Sequence, residues 1–579
     1  MFCPHCHNKI PDGSNFCPLC YANLVGVRQR ETESAERFEE EEKPRPAQKA
    51  APKKSAKPAY SKGSRKSKRS QDKTPMIIAI GLILILVLAQ LCACGKTQAD
   101  PAPAAGSESA VPAAKPDEPA AEAPAPEPAD PHVPDRVLAS RYYSAEIYET
   151  TIRQYRCSIE SREYVVSDGV TARAFRATGV GGPSKFLDHT VQEGGTLYYF
   201  DAASGKWVET PLAEGKYASP VVVIELASGA SYFLALPRTF VLHENDTKEY
   251  LPEMDGTLYV TKTPDGFHLT VNGYGLAEGR VTDCLILSAP FRLVDWSMQN
   301  CAMAWVTYVQ NGASHWCFDG YYRKAPSNYI PTGTNYYYCC AASYCIKGFL
   351  SRMPMCKEAA ALTIVMLDTM AQRQNEYGYW ATEPGSEWLQ GDYGIGPGFY
   401  DTRFNTDLLE IYIKAARKFG KGMFDETITR YLGFFSQIAD TSHISTESGG
   451  WLIPDYWHPS EITAPHTSLN HQASECLALY HASDLFDRED LRALADRMLL
   501  AIEDTGSGWV MPDHNLYYSI KPDGTYVEGD YPYLTYNDLL YLRKYLTGFG
   551  KTENETLTYL MGEKLQWMQR HGVTGYEKS

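Results

Sequence analysis

The sequence predicts a multidomain protein: a small zinc ribbon, one transmembrane helix, a β-rich sandwich or barrel, and an α/α toroid built of helical hairpins. Three observations lead there. Four cysteines stand as two CxxC pairs within the first 20 residues. The run "PMIIAIGLILILVLAQLCAC", Pro75 to Cys94, carries no charge. Near residue 338 the apolar period changes from two to that of a helix, and a weak internal repeat begins.

The ribbon occupies residues 1–26. Cys3 and Cys6, then Cys17 and Cys20, can enclose a tetrahedral Zn²⁺ with four thiolates, and a segment this short has no other core. With every position a cysteine, the zinc is expected to be structural, and His5 and His7 to be bystanders. A ribbon of this kind suits a cytoplasmic protein partner. Residues 27–74 are charged and lack apolar periodicity, and residues 95–135 are rich in Ala and Pro, so both are expected to be disordered linkers.

Between them, residues 75–94 match the roughly 20 residues needed to cross hydrocarbon. The 74 residues that precede the run argue against a signal peptide. Nine Lys and Arg between Lys53 and Lys73 come before the span, whereas Lys96 is the nearby cation after it. The positive-inside rule therefore expects a single pass through the cell membrane, with the N-terminus cytoplasmic and the large C-terminal part extracellular. The chain's net charge is −15, with acidic residues in excess beyond the span. That excludes a nucleic-acid binder. Nine further cysteines lie beyond the span at irregular spacings that dictate no pairing.

Residues 136–335 read as the β-rich domain. In "GTLYVTKTPDGFHLTVNGYG", Pro264-Asp265-Gly266 and Asn272-Gly273 punctuate alternating segments. Residues 336–579 read as helical hairpins. Asn405, Asn470 and Asn537 each open an amphipathic segment at intervals of 65 and 67 residues, and "GWLIPD" (450–455) recurs as "GWVMPD" (508–513). Such a repeat suggests an α/α toroid whose helix-start loops gather Asn, Asp, Tyr and Trp around one cleft. The stretch Asp504-Thr505-Gly506-Ser507 spells a protease motif, but Leu491, Leu494, Met498 and Ile502 recur before it at helical spacing. It is expected to be the exit from a hairpin's first helix, delivering Trp509 and Asp513 to the cleft.

Three stretches, "DTGSG" (504–508), "DYPYLTYNDLLYL" (530–542) and "SLNHQASECLALYHASDL" (468–485), resemble the C-terminal domain of the D-glucuronyl C5-epimerases. The resemblance implies an α/α barrel beside β-rich domains, needing neither metal nor nicotinamide. Its substrate would be a uronic-acid-containing glycan, inverted at C5 by proton abstraction and reprotonation from the opposite face. Such chemistry needs one acid/base group on each side of the ring and stabilisation of charge on the substrate carboxylate. By position, the resemblance nominates Tyr531 and Glu461 as catalytic. Arg403, with its bidentate fork, is the candidate clamp for the substrate carboxylate. Asn470, Trp451, Trp509, Asp455 and Asp513 are the remaining substrate-binding candidates. Asp455 and Asp513 also invite a glycosidase reading, although their duplication favours a shared role in bonding backbone amides. The chain departs from the family's pattern where a second tyrosine should follow the DTGSG turn; Trp509, Val510 and Met511 stand there. A related lyase, a glycosidase or a non-catalytic envelope glycan-binding protein therefore remain as alternatives.

Overall fold

The computed structural model describes residues 133–578, apart from 155, 202, 299–313, 343, 354 and 549–552. The ribbon cysteines, the first linker, the apolar run and the second linker up to residue 132 lie outside the described residues. Among the described residues no helix is long and apolar enough to cross a membrane.

The β half runs through β1 (Arg136–Ala139), β2 (Ser144–Gln154), β3 (Cys157–Val166), β4 (Thr171–Gly179), β5 (Gly181–Val191), β6 (Gly195–Asp201), β7 (Lys206–Pro211), β8 (Gly215–Tyr217), β9 (Val221–Leu226), β10 (Ser231–His243), β11 (Thr247–Tyr250), β12 (Thr257–Thr263), β13 (Gly266–Leu276) and β14 (Arg280–Ala289). After them come β15 (Ser314–Cys317), β16 (Gly320–Lys324), β17 (Tyr329–Ile330) and β18 (Tyr336–Cys339). Two antiparallel sheets result, and β17 pairs apart from them with Gly385–Ser386. The larger follows the order β1-β2-β3-β4-β14-β10-β11-β18-β16-β15, with β9, β6 and β7 branching from β10; the smaller is β5-β13-β12-β8.

Period two explains why the larger sheet is buried on both faces. Along β9, Val222 and Ile224 face the smaller sheet, while Val221 and Val223 face the other way. Along β14, Cys284 and Ile286 join the sandwich core, and Leu285 and Leu287 join the core shared with the helices. One sheet thus serves two cores, as alternating strand side chains permit.

The helical half comprises α1 (Tyr344–Arg352), α2 (Glu358–Gln372), α3 (Glu387–Tyr393), α4 (Thr402–Phe419), α5 (Asp425–Ser442), α6 (Leu469–Phe486), α7 (Glu489–Thr505), α8 (Leu534–Gly548) and α9 (Glu555–Arg570). Its helices pair as the hairpins α1/α2, α4/α5, α6/α7 and α8/α9, and α4, α6 and α8 pack side by side. The sequences explain the placement. α2 reads "EAAALTIVMLDTMAQ", apolar nearly all round, and is buried between the helices and the sheet. α4 is amphipathic, and Asp401 caps it by accepting the amide of Phe404 at 2.9 Å. α6 buries polar and apolar residues alike, because it lies between α4 and α8 with α7 outside it. The hairpin repeat expected from the Asn spacing is therefore present.

Its phase differs from the expectation. Asp504 and Thr505 close α7, the second helix of the α6/α7 hairpin, not the first. The Asp504 carboxylate accepts the Ser448 amide at 2.9 Å and the Thr446 hydroxyl, tying one long loop to the exit of α7.

Candidate functional site

Short strands stitch the helix-start loops together. Tyr400–Asp401 pairs with Tyr456–Trp457. Thr467–Ser468 pairs with Ser519–Ile520, which pairs in turn with Tyr526–Val527. Segments far apart in the chain thereby meet where α4, α6 and α8 begin.

Asp455 anchors this centre. It is fully buried, and it accepts the amide of Ser468 at 2.7 Å and its hydroxyl at 2.6 Å. Burial pushes its carboxyl up, but His471, His466 and Ser468 outweigh that and hold it below its usual range. His466 Nε2 lies 3.2 Å from Asp455, and the Tyr393 hydroxyl meets Nδ1 at 2.7 Å. His471 Nδ1 bonds the Thr402 hydroxyl at 2.7 Å, and burial pushes the imidazole down to about 4. These groups form a continuous polar network under the mouth.

Around it stand aromatic rings. Tyr518 lies 5.5 Å from His466 and 5.9 Å from Tyr531, edge-on to the latter, as centroid separations. Trp388 lies 5.6 Å from Tyr456. Tyr531 is 44% exposed, and burial of the rest of the ring, helped by Asp401 and Asp455, raises its phenol. Asp401 retains 6% of its surface and is pushed up to about 7, first by burial and then by Asp455 and Asp407. Glu475 on α6 is buried with neither carboxyl oxygen well bonded, and burial pushes it well above the usual carboxylate range. Aromatic rings grouped with acid/base groups of perturbed affinity are what sugar and proton-transfer sites share.

The sequence candidates are distributed unevenly. Tyr531 stands at the mouth, and no hydrogen bond holds its hydroxyl among the described residues. Glu461 is exposed on the loop before α6, whose Thr463 amide bonds the Tyr393 carbonyl at 3.0 Å. Arg403 lies near Tyr531, but its guanidinium spans both oxygens of Asp538 at 2.6 and 3.2 Å and reaches Asp407 at 3.2 Å. Removing one partner from a buried pair costs about 3–5 kcal/mol, so direct substrate binding by Arg403 has to compete with Asp538. Asn470 is buried with Oδ1 unpaired. Asp513 is exposed and accepts the Asn515 amide at 3.0 Å, so both duplicated aspartates do bond backbone amides. Trp451 stacks on His443 at 3.9 Å, with Arg497 over it at 4.4 Å. Trp509 is buried, its indole N–H donating to Thr505 at 2.7 Å, so the DTGSG exit delivers it to the core and not to a cleft.

Sequence reasoning missed Asp401, Tyr393, His466 and Glu475. Asp401, directly before the apolar period of α4, carried a helix-cap signal; the others carried none. In the β half, Asp283, Cys317 and Asp319 bring ligand atoms within 4.8 Å of one another. Arg176 donates to Asp283 at 2.6 and 2.8 Å and to Asp319 at 2.7 and 2.8 Å, and Lys248 also pairs with Asp319. The carboxylates are thus neutralised by the chain's own cations.

Residues 2–20 match the zinc-ribbon domain family. The four ribbon cysteines lie within that match. The chain matches no curated protein. Among solved structures it is similar to a D-mannose isomerase, at 13% identity and a TM-score of 0.31, over 43% of this chain and 66% of that one. It is similar to the cellobiose 2-epimerase of Spirochaeta thermophila at 11% identity and 0.31, over 48% and 66%. It is also similar to a family 76 glycoside hydrolase from a bovine Bacteroides thetaiotaomicron strain, at 12% and 0.31, over 75% and 78%. This chain spans just under two thirds of the length of the first two. Similarity at a TM-score of 0.31 does not establish a shared fold.

Proposed function

We propose that this is a membrane-anchored, carbohydrate-active protein whose outward domains act on a uronic-acid-containing polysaccharide by proton abstraction and reprotonation at C5. One observation carries the reading: an unbonded, half-exposed phenol, Tyr531, stands over a buried acid/base cluster where the hairpin helices begin. A sugar ring stacked at the aromatic mouth would bring C5 toward these groups. The motifs assign proton transfer to Tyr531 and Glu461, with Arg403 acting on the substrate carboxylate either directly or through Asp538. The ribbon cysteines hold a structural Zn²⁺ and face a cytoplasmic partner. The outward placement draws on the nine cations before the span and on Cys356, which is disulfide-bonded, as suits an oxidising compartment.

Incubating the wild-type protein with glucuronic-acid polymers in D₂O tests the reaction: deuterium should appear at C5. If C5 abstraction is followed by loss of the C4 substituent, an unsaturated product marks a lyase instead. No exchange and no product would sink the enzymatic reading. A second reading is a glycan-binding module without turnover, favoured by the exposed rings of Trp388, Tyr531 and Tyr533. It expects binding that survives E461Q and Y531F with no exchange by wild type.

A further inference from the structure

Asp401 is absent from the motifs, yet it stands where the short strands stitch the helix-start loops together. It begins α4 and pairs in register with Tyr456 on the neighbouring two-residue strand. Its Oδ1 accepts the Phe404 amide at 2.9 Å, which fixes the side chain as a helix cap. Oδ2 has no side-chain partner among the described residues, although Asp455, buried beside it, uses both of its own oxygens. Of the charged groups acting on Tyr531, Asp401 is the strongest. It is thus a carboxyl group fixed by the amides at the start of α4, with no side-chain partner of its own, and its charge reaches the free phenol.

We propose that Asp401 is the acid/base group paired with Tyr531, each serving one face of the uronate ring; this rests on the reading of the mouth as a site of C5 proton exchange. In one direction the Asp401 carboxylate takes the C5 proton, and the C–H electron pair delocalises into the substrate carboxyl group. The Tyr531 hydroxyl then gives its proton to C5 from the opposite face and becomes a phenolate. The reverse direction uses the phenolate as base and the Asp401 carboxylic acid as donor. Exchange with water restores both groups between turnovers, so no oxidant or co-reactant is needed. Asp401 remains half in its acid form near neutral pH because burial holds its proton at about 7, and so it can serve in both directions.

The test compares D401N, E461Q and wild type on a glucuronate polymer and on its iduronate-containing C5 epimer, following deuterium uptake at C5 in each. Asn also caps helices, so D401N should keep the wild-type melting temperature. Uptake from one epimer should fall at least about a hundredfold in D401N, the order of one lost acid/base contribution, with less effect on the other epimer. Uptake by wild type that D401N leaves unchanged in both directions overturns the Asp401 assignment alone. Loss in E461Q but not in D401N gives the role to Glu461 and also overturns it. No uptake by wild type overturns the C5 reading and Asp401 with it. Should D401N melt early, D401E supplies the second variant: a lengthened carboxylate that recovers part of the lost uptake supports the proposal, and one as inactive as a fold-disrupted chain overturns it.

Discussion

Lys564 shows how a single residue shapes the candidate site. Fully buried on α9, it spends its three protons on Asn515 Oδ1 at 2.6 Å, the Asp530 carboxylate and the Tyr531 carbonyl at 2.8 Å. It therefore sets the backbone from which Tyr531 projects. K564M should cost about 3–5 kcal/mol in denaturant unfolding, because it leaves Asp530 buried without its partner. A loss under about 1 kcal/mol would show that the pair is not held as described. His471 adds a pH dependence. Its ordinary value is 6.5 and its folded value about 4, with Thr402, Asp455, Arg403, His466 and Asp407 around it. Between those values the unfolded chain binds a proton that the folded chain refuses, so this group's share of stability falls as pH drops from about 6.5 to 4. H471Q should flatten that part of the melting-temperature profile. An unchanged slope would place the titration elsewhere.

At the scale of elements, the repeated Gly-Trp has a steric reason at its first copy. A Cβ on Gly450 would lie 2.6 Å from Ala501 Cα, against the α7 backbone, where nothing flexible can yield. G450A should therefore cost about 3 kcal/mol, the upper end for overpacking, measured by chemical denaturation. A change within 0.5 kcal/mol would mean that α7 shifts freely. The element signals readable in the chain were those of local origin: helical period, the Asp401 cap and the turn dipeptides of the β half. What local pattern could not show was the hairpin phase, since α6 and α7 are both regular helices and only packing tells which one pairs with which. Nor could it separate Trp451 from Trp509, because identical hexapeptide frames lead one to a stacked, half-buried position and the other to the core.

Across the molecule the two halves share one core. Asp368 on α2 accepts both guanidinium nitrogens of Arg136 on β1 at 2.9 and 2.8 Å, and the Tyr164 hydroxyl of β3 at 2.8 Å. The larger sheet contributes Phe233, Phe240 and Leu287 to the same apolar cluster as Leu362 and Ile364 of α2. D368A should lower stability by about 3 kcal/mol, given a buried hydroxyl and a charged donor left unpaired, within a single cooperative transition. Two separate transitions in wild type, read by calorimetry, would show that the halves fold independently.

The sequence by itself determined what depends on near neighbours: the spacing of four cysteines for zinc, the length of an uncharged apolar run, and the switch from period two to helical period with its Asn repeat. Each is a property of a few consecutive residues, and period or spacing alone carries the physics. It also pointed to Tyr531 through a short motif. Only the tertiary structure decided that Asp401, Asp455, His466 and Tyr518 meet there, because two-residue strands pair segments more than 50 residues apart. Only it decided the charge states, since the same carboxyl group is pushed up in Asp401 and held down in Asp455 by burial and by the donors each one finds.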